Sequence, residues 1–474
     1  MPRGPGGRLG THGFRWMRPV GACLVLSLLL GACGTYRSRV GPMRDFAGRG
    51  ELDRSLEHVA SVLSPGDLLY NLESGLLLHL LGRYEESDGA LDAAERLIED
   101  LYTESLTRKG LTFLLNDAIE PYSGERHERL LIHYYRALNH IHMGDPEGAV
   151  VESRKLSLLL AEGAAEPAPS SSVAAMSHYL AGLWFGAGHR LNDAVVSYRL
   201  ARALYEGEPA AGIGEPPWLA SDLLDAAKRG GFAGLAADME GRGVEGASDP
   251  EKAQLVFLFE NGWVPAKQPT HIDVPILATE RTLRSEGVPR LAGSLEDRYE
   301  RHRRTGAWFT EEVKIDYWLR VALPELPDAP PEAAASARIS AGGRSATTCF
   351  LADVERDARR AFDDDAGRIF LKAAARALLK YLVHEAAEKE GGEVAGFLAN
   401  LAGVATEVAD TRSWAMLPRE IQMARLALEP GRHDLDLEIL SGDGVVLDRI
   451  ALGPLDAAPG EVLFVNWRRL PGPR

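Results

Sequence analysis

Three times in the first half of this chain, a small residue is followed twelve positions later by another, and the pattern continues four and seven positions beyond. The sets are Gly75, Ser87, Leu91, Ala94; Ala137, Ala149, Ser153, Leu156; and Gly182, Ala194, Tyr198, Ala201. Between the first two members of each set lies a break, at Gly82, Gly144 and Gly188. Residues four and seven apart share one face of a helix. A small residue on either side of the break lets two helix backbones approach closely. The pattern predicts helical hairpins, each pairing a first helix, A, with a second helix, B.

The spacing resembles the tetratricopeptide repeat, most clearly in Leu81-Gly82-Arg83-Tyr84-Glu85-Glu86. That resemblance implies stacked helix pairs with a concave face that takes a peptide or a partner helix. The reference residues Ser87, Ala149 and Ala194 are 62 and 45 apart, against about 34 in the regular repeat. Extra segments at Leu101–Arg126 and Glu162–Ser172 absorb the excess, and Trp218–Arg229 with Phe232–Arg242 adds a further pair. An irregular stack over 51–245 is expected.

From residue 250 the period changes. Leu255–Phe259 is a continuous apolar run stopped by Asn261-Gly262, which marks a buried strand. Further strands are expected at Val313–Leu323, Ala337–Ser340 and Glu461–Trp467. Leu435, Leu437 and Ile439 alternate with Asp434, Asp436 and Glu438, and Ser441–Gly444 turns the chain back into Val445–Ile450, a hairpin. Helices are expected at Asp353–Phe362, Ala366–Lys389 and Glu393–Val408, with Asp363–Asp365 as a junction capping the second. The fold class predicted is α+β: the hairpin stack, then an antiparallel sheet or sandwich over 250–474 with inserted helices.

Arg3, Arg8, Arg15 and Arg18 precede the apolar run Val20–Leu30 and the sequence Leu30-Gly31-Ala32-Cys33. Basic, apolar and small residues in that order read as a secretory signal over 1–32. The run falls short of the roughly 20 residues that span a bilayer. Leu-Gly-Ala-Cys resembles a lipobox, which implies cleavage before Cys33 and its lipidation; several acyl chains hold where one is marginal. Cys23 leaves with the signal, so Cys349 is left as the free thiol and no internal disulfide is expected. Gly34, in place of an aspartate, favours the outer membrane, facing the periplasm. The glycines and arginines of 33–50 predict a flexible tether touching anionic headgroups. Net charge is −15, and loss of four signal arginines takes it to −19, which argues against nucleic acid as a partner.

Chemistry-bearing motifs are scarce. His127 and His133 are six apart, on opposite helix faces, where a helical zinc pair needs about four. His133 and His140 share a face but read as seam residues, so no metal is expected. The sequence has no nucleophile elbow, phosphate loop or dinucleotide fingerprint, and no cofactor is expected.

Three clusters depart from scaffold composition: Asp117, Tyr122, Glu125 and Glu128; Gly262, Pro265 and Lys267; and Asp410, Arg412 and Trp414. In the last, Asp410 can pair with Arg412 while Trp414 docks in apolar surface, fixing a helix-to-strand crossover. With the lipobox and the hairpins, these stretches resemble a family of Gram-negative envelope lipoproteins to which no activity is assigned. The likeness spans nearly the whole processed chain and is most specific at 410–418. It implies a setting beside a lipoprotein activator of penicillin-binding proteins, and so cell-wall assembly. The function expected is a lipid-anchored adaptor, not an enzyme, holding another envelope protein in its hairpin groove. Two alternatives stand beside it. One is a glycan or peptidoglycan module using Trp308, Trp414 or Trp467. The other is an acid–base hydrolase using Asp117, Glu125 and Glu128.

Overall fold

The computed structural model describes residues 36–108, 121–162, 171–206, 213–246, 249–277, 297, 300–305, 315–328, 334–375 and 409–472. Cys33, Asp117 and Trp308 lie outside them, as does the helix expected at Glu393–Val408. No helix among the described residues is long and apolar enough to cross a membrane.

The first half is helical: α1 (Tyr36–Gly48), α2 (Leu52–Val62), α3 (Leu68–Leu80), α4 (Tyr84–Arg108), α5 (Arg126–His142), α6 (Pro146–Glu162), α7 (Ser172–Ala187), α8 (Leu191–Glu206), α9 (Leu219–Arg229) and α10 (Ala233–Gly241). The small-residue offsets become contacts. Ser87 Oγ of α4 donates to the Gly75 carbonyl of α3 at 2.7 Å. A Cβ on Gly75 would meet the Leu91 side chain at 2.7 Å, and one on Gly182 would overlap the Tyr198 ring. These are the offset-twelve and plus-four positions, so α3/α4, α5/α6 and α7/α8 are tetratricopeptide-like hairpins. Gly82 and Gly144 leave their A helices at φ +73° and +71°, a conformation that glycine adopts without steric cost.

The segment 33–50, expected to be a flexible tether, is instead helical over Tyr36–Gly48. Tyr36, Val40, Met43 and Ala47 recur at helical spacing and are buried, and Ser55 Oγ of α2 donates to the Met43 carbonyl at 2.8 Å. An apolar stripe with a surface to cover outweighs the glycines and Pro42 within it.

The second half holds β1 (Ala253–Asn261), β2 (Gln268–Leu277), β3 (Ile315–Glu325), β4 (Ser336–Ala341), β5 (Arg344–Thr347), β6 (Cys349–Asp353), a helix α11 (354–375), β7 (Glu420–Leu428), β8 (Gly431–Leu440), β9 (Val446–Ala457) and β10 (Val462–Arg468). One sheet runs β10-β1-β7-β6, another β5-β4-β8-β9, and β2 pairs with β3. All pairs are antiparallel except β1–β10, which is parallel. Strand side chains alternate between faces. Leu255, Phe257 and Phe259 of β1 therefore meet Ile339, Leu437 and Ile439 of the second sheet, while Val256 and Leu258 face the helices. Burial on both faces explains the unbroken apolar run. Contrary to the expected junction, α11 passes through Asp363–Asp365, where Asp365 pairs with Arg368 at 2.6 Å within the helix.

The A helices lie between the B helices and the first sheet. Tyr134 and Tyr135 of α5 reach Glu260 of β1 and Trp184 of α7 packs near Phe464 of β10, while Tyr205, at the end of the B helix α8, also donates to the Leu351 carbonyl of β6. The groove expected to receive a peptide or helix is filled by the chain's own sheet.

Candidate functional site

The crossover 409–418 enters between the halves. Asp410 accepts from the Arg412 backbone N–H at 3.0 Å and pairs with its guanidinium at 2.8 and 2.7 Å, while that guanidinium lies 5.5 Å from the Tyr122 ring. Trp414 is fully buried, edge-on to Tyr135 at 5.9 Å. Beyond it, three successive backbone N–H groups are held by glutamates of the helical half. Trp414 donates to Glu128 Oε1 at 2.7 Å, Ala415 to Glu73 Oε1 at 2.6 Å and Met416 to Glu73 Oε2 at 3.1 Å. Arginines take the carbonyls: Arg44 donates to those of Ala415 and Val264, and Arg468 to that of Met416 at 3.2 Å. Hydrogen bonds to charged groups are roughly twice as strong as neutral ones.

Glu128 also accepts from Tyr122 Oη at 2.6 Å and the Glu125 N–H at 2.9 Å, closing a capping box on α5. Lys267, after the Gly262 turn (φ +66°) and buried Pro265, reaches Glu125 at 2.8 Å. Burial pushes the Glu128 carboxyl up, and the neighbouring Glu125 charge adds to it. Burial acts on Glu125 the same way, but Lys267 outweighs it and holds that carboxyl low. Burial pushes Glu73 up to about 7 even though Tyr36 Oη, at 2.7 Å, and two amides favour its charge. Glu260, held by Tyr134 and Tyr135 at 2.8 and 2.9 Å, is raised mainly by burial.

Tyr122, Glu125, Glu128, Gly262, Pro265, Lys267, Asp410, Arg412 and Trp414 thus meet at one place. Tyr122, Glu125, Lys267, Asp410 and Arg412 line a polar cleft of about 210 Å³. A second cleft, of about 460 Å³, lies between α1 and the crossover. Sequence reasoning missed Glu73, Glu260 and Tyr36, and it assigned Arg44 to headgroup contact, whereas Arg44 is turned to the Ala415 and Val264 carbonyls. For the two glutamates the available signal was a lone carboxylate, within the apolar run Leu68–Leu81 and directly after the run Leu255–Phe259.

Two carboxylates with separated pKa values are what acid–base catalysis requires. Both oxygens of Glu128 are already engaged by Tyr122 and backbone amides, so its role here is to lock the crossover. Trp414, at 0% exposure, has no ring face for a glycan, and Trp467 stacks on Phe259 at 6.1 Å. Among the described residues, Glu95, His133 and Glu152 lie close enough to hold a cation. Arg136 and Lys155 already pair with Glu95 and Glu152, at 3.3 Å for Arg136–Glu152 and 2.9 Å for Lys155–Glu95. Burial pushes the Cys349 thiol up, away from the reactive thiolate.

No protein-family model matches the chain, and no curated protein matches it. Among solved structures it is similar to the MamA RS-1 ArsTM double mutant (14% identity, 43% of this chain and 88% of that one, TM-score 0.27). It is also similar to a Podosopora anserina putative kinesin light chain with nearly identical TPR-like repeats (14%, 44% and 92%, TM-score 0.29). The apo form of RapI is a third (12%, 48% and 58%, TM-score 0.30). The chain's own contacts define its class: an α+β protein whose tetratricopeptide-like stack is fused across its inner face to a sheet.

Proposed function

We propose that this protein is a scaffold of the cell envelope, tethered through lipidated Cys33 at the periplasmic face of the outer membrane, that binds another protein through its outer helical layer. The observation that carries this reading is an apolar stripe on α6 and α8. Val151 and Leu158 are 47% and 65% exposed, Val196 and Leu200 50% and 45%. Glu147, Val151, Arg154 and Leu158 share one face of α6, as Asp193, Val196 and Leu200 do of α8. Pairs Arg154–Asp193 (4.0 Å) and Arg190–Glu147 (3.6 Å) join the two helices, so the stripes form one patch with a charged margin. Exposed apolar patches with polar rims mark interaction sites. The resemblance to envelope lipoproteins supports the setting and a part in cell-wall assembly.

The test is co-purification from membranes with Cys33 intact. A stoichiometric partner is expected, lost in the Leu158→Glu/Val196→Glu double variant while the melting temperature is kept. A partner retained by that variant would refute the patch. Cys33→Ser is expected to release the protein from membranes; continued membrane association would refute the anchor.

A further inference from the structure

We infer that the cleft between α1 and the crossover is a binding site for a short neutral saccharide. Its volume of about 460 Å³ lies within the roughly 300–1,000 Å³ of small-molecule sites. Val40 and Gly41 of α1 form one wall, Trp263 and Pro265 the other, and Thr411 and Ser413 of the crossover line it beneath.

The two hydroxyls point to a ligand. Thr411 is 2% exposed and Ser413 9%, yet neither Oγ1 of Thr411 nor Oγ of Ser413 has a hydrogen-bond partner. The neighbouring backbone is held by Glu73, Glu128 and Arg44, which leaves these two hydroxyls and the Trp414 indole N–H as the crossover's unpartnered buried groups. A buried hydroxyl without a partner is costly, and a bound hydroxyl group, donor and acceptor at once, would satisfy each.

The walls narrow the chemistry. Trp263 is partly exposed, and its Nε1 donates to the Pro471 carbonyl at 3.2 Å, which fixes the ring plane. Arg44 and Arg468 lie 5.3 and 5.2 Å from that ring. A fixed indole with prolines beside it suits the C–H face of a pyranose. Charge at the lining is balanced, Arg37 and Arg44 against Asp45 and Asp328, so neither an anion nor a cation is favoured. Sugar hydroxyls bond well to carboxylate and guanidinium alike. Neither Trp414 nor Trp467 takes part.

Gly41 supplies the test, because a Cβ there meets nothing within 4 Å: a larger side chain fills the cleft without striking the protein. Full-length protein in a sugar-free detergent is titrated with N,N′-diacetylchitobiose and cellobiose, following tryptophan fluorescence and heat. Saturable binding of at least one disaccharide is expected, abolished by Gly41→Leu with the melting temperature unchanged. Thr411→Val should weaken it roughly tenfold while leaving the free protein as stable or more so, since it removes an unpartnered hydroxyl. The proposal is overturned if neither disaccharide binds, if binding survives Gly41→Leu, or if Thr411→Val lowers the melting temperature. A decaproline peptide that saturates the cleft where the disaccharides do not also overturns it.

Discussion

The A and B helices of the second and third hairpins are matched in length and opposite in surroundings. Helices α7 and α8 each have 16 residues, but α7 buries every one from Ser172 to Phe185, whereas α8 buries six and leaves Val196 and Leu200 about half exposed. An open stack of hairpins uses its A helices to line a groove. Here the first sheet covers them, so they become the middle layer of a three-layer core. In the function proposed, recognition of a partner falls to the outer layer.

The sharpest way to break this comparison is truncation. Trp184→Ala in α7 is expected to cost about 3–5 kcal/mol, and Leu158→Ala on α6 within about 0.5 kcal/mol, by urea unfolding. Similar losses at both sites would mean the A helices are not a core layer. Next in size is a pH effect from α3. The Glu73 carboxyl sits at about 7 in the folded protein against an ordinary 4.5, so the folded state holds its proton longer. Its contribution is complete below pH 4.5 and is lost as pH climbs through 7, about 3 kcal/mol in all. The stability–pH profile of Glu73→Gln should lack that decline; an unchanged slope would remove Glu73 from the account. Smaller again is a glycine pair. Gly182→Ala in α7 should cost about 1–3 kcal/mol against Tyr198. Gly89→Ala in α4, with open space at its Cβ, should stabilise by about 0.5–1 kcal/mol. Equal effects would show that the A/B seam tolerates the methyl group.

Much of the fold was legible because it is local. The small-residue offsets, the Gly82 and Gly144 breaks and the alternation in β8 each act over a turn or a strand. The residues of the junction were legible one cluster at a time. Their meeting was not, because Trp414 finds Glu128 across 286 residues and Lys267 finds Glu125 across 142. Glu73 reads as an interruption of an apolar run and Glu260 as the end of one, since nothing nearby shows what a buried carboxylate will hold. The tether was misjudged for the opposite reason. Its glycines and Pro42 are local signals for a loose chain, and the surface that orders α1 comes from α2, Glu73 and the second half. The passage of α11 through three aspartates likewise follows packing rather than propensity.

The clamp on the crossover makes the two halves inseparable in practice. To part them, Glu73, Glu128 and Glu260 would each have to surrender bonds to the opposite half while still enclosed by apolar side chains. Opening therefore has no cheap first step, and the protein should melt in a single transition. A nick in the backbone between the halves would leave two fragments that stay together and continue to behave as one body.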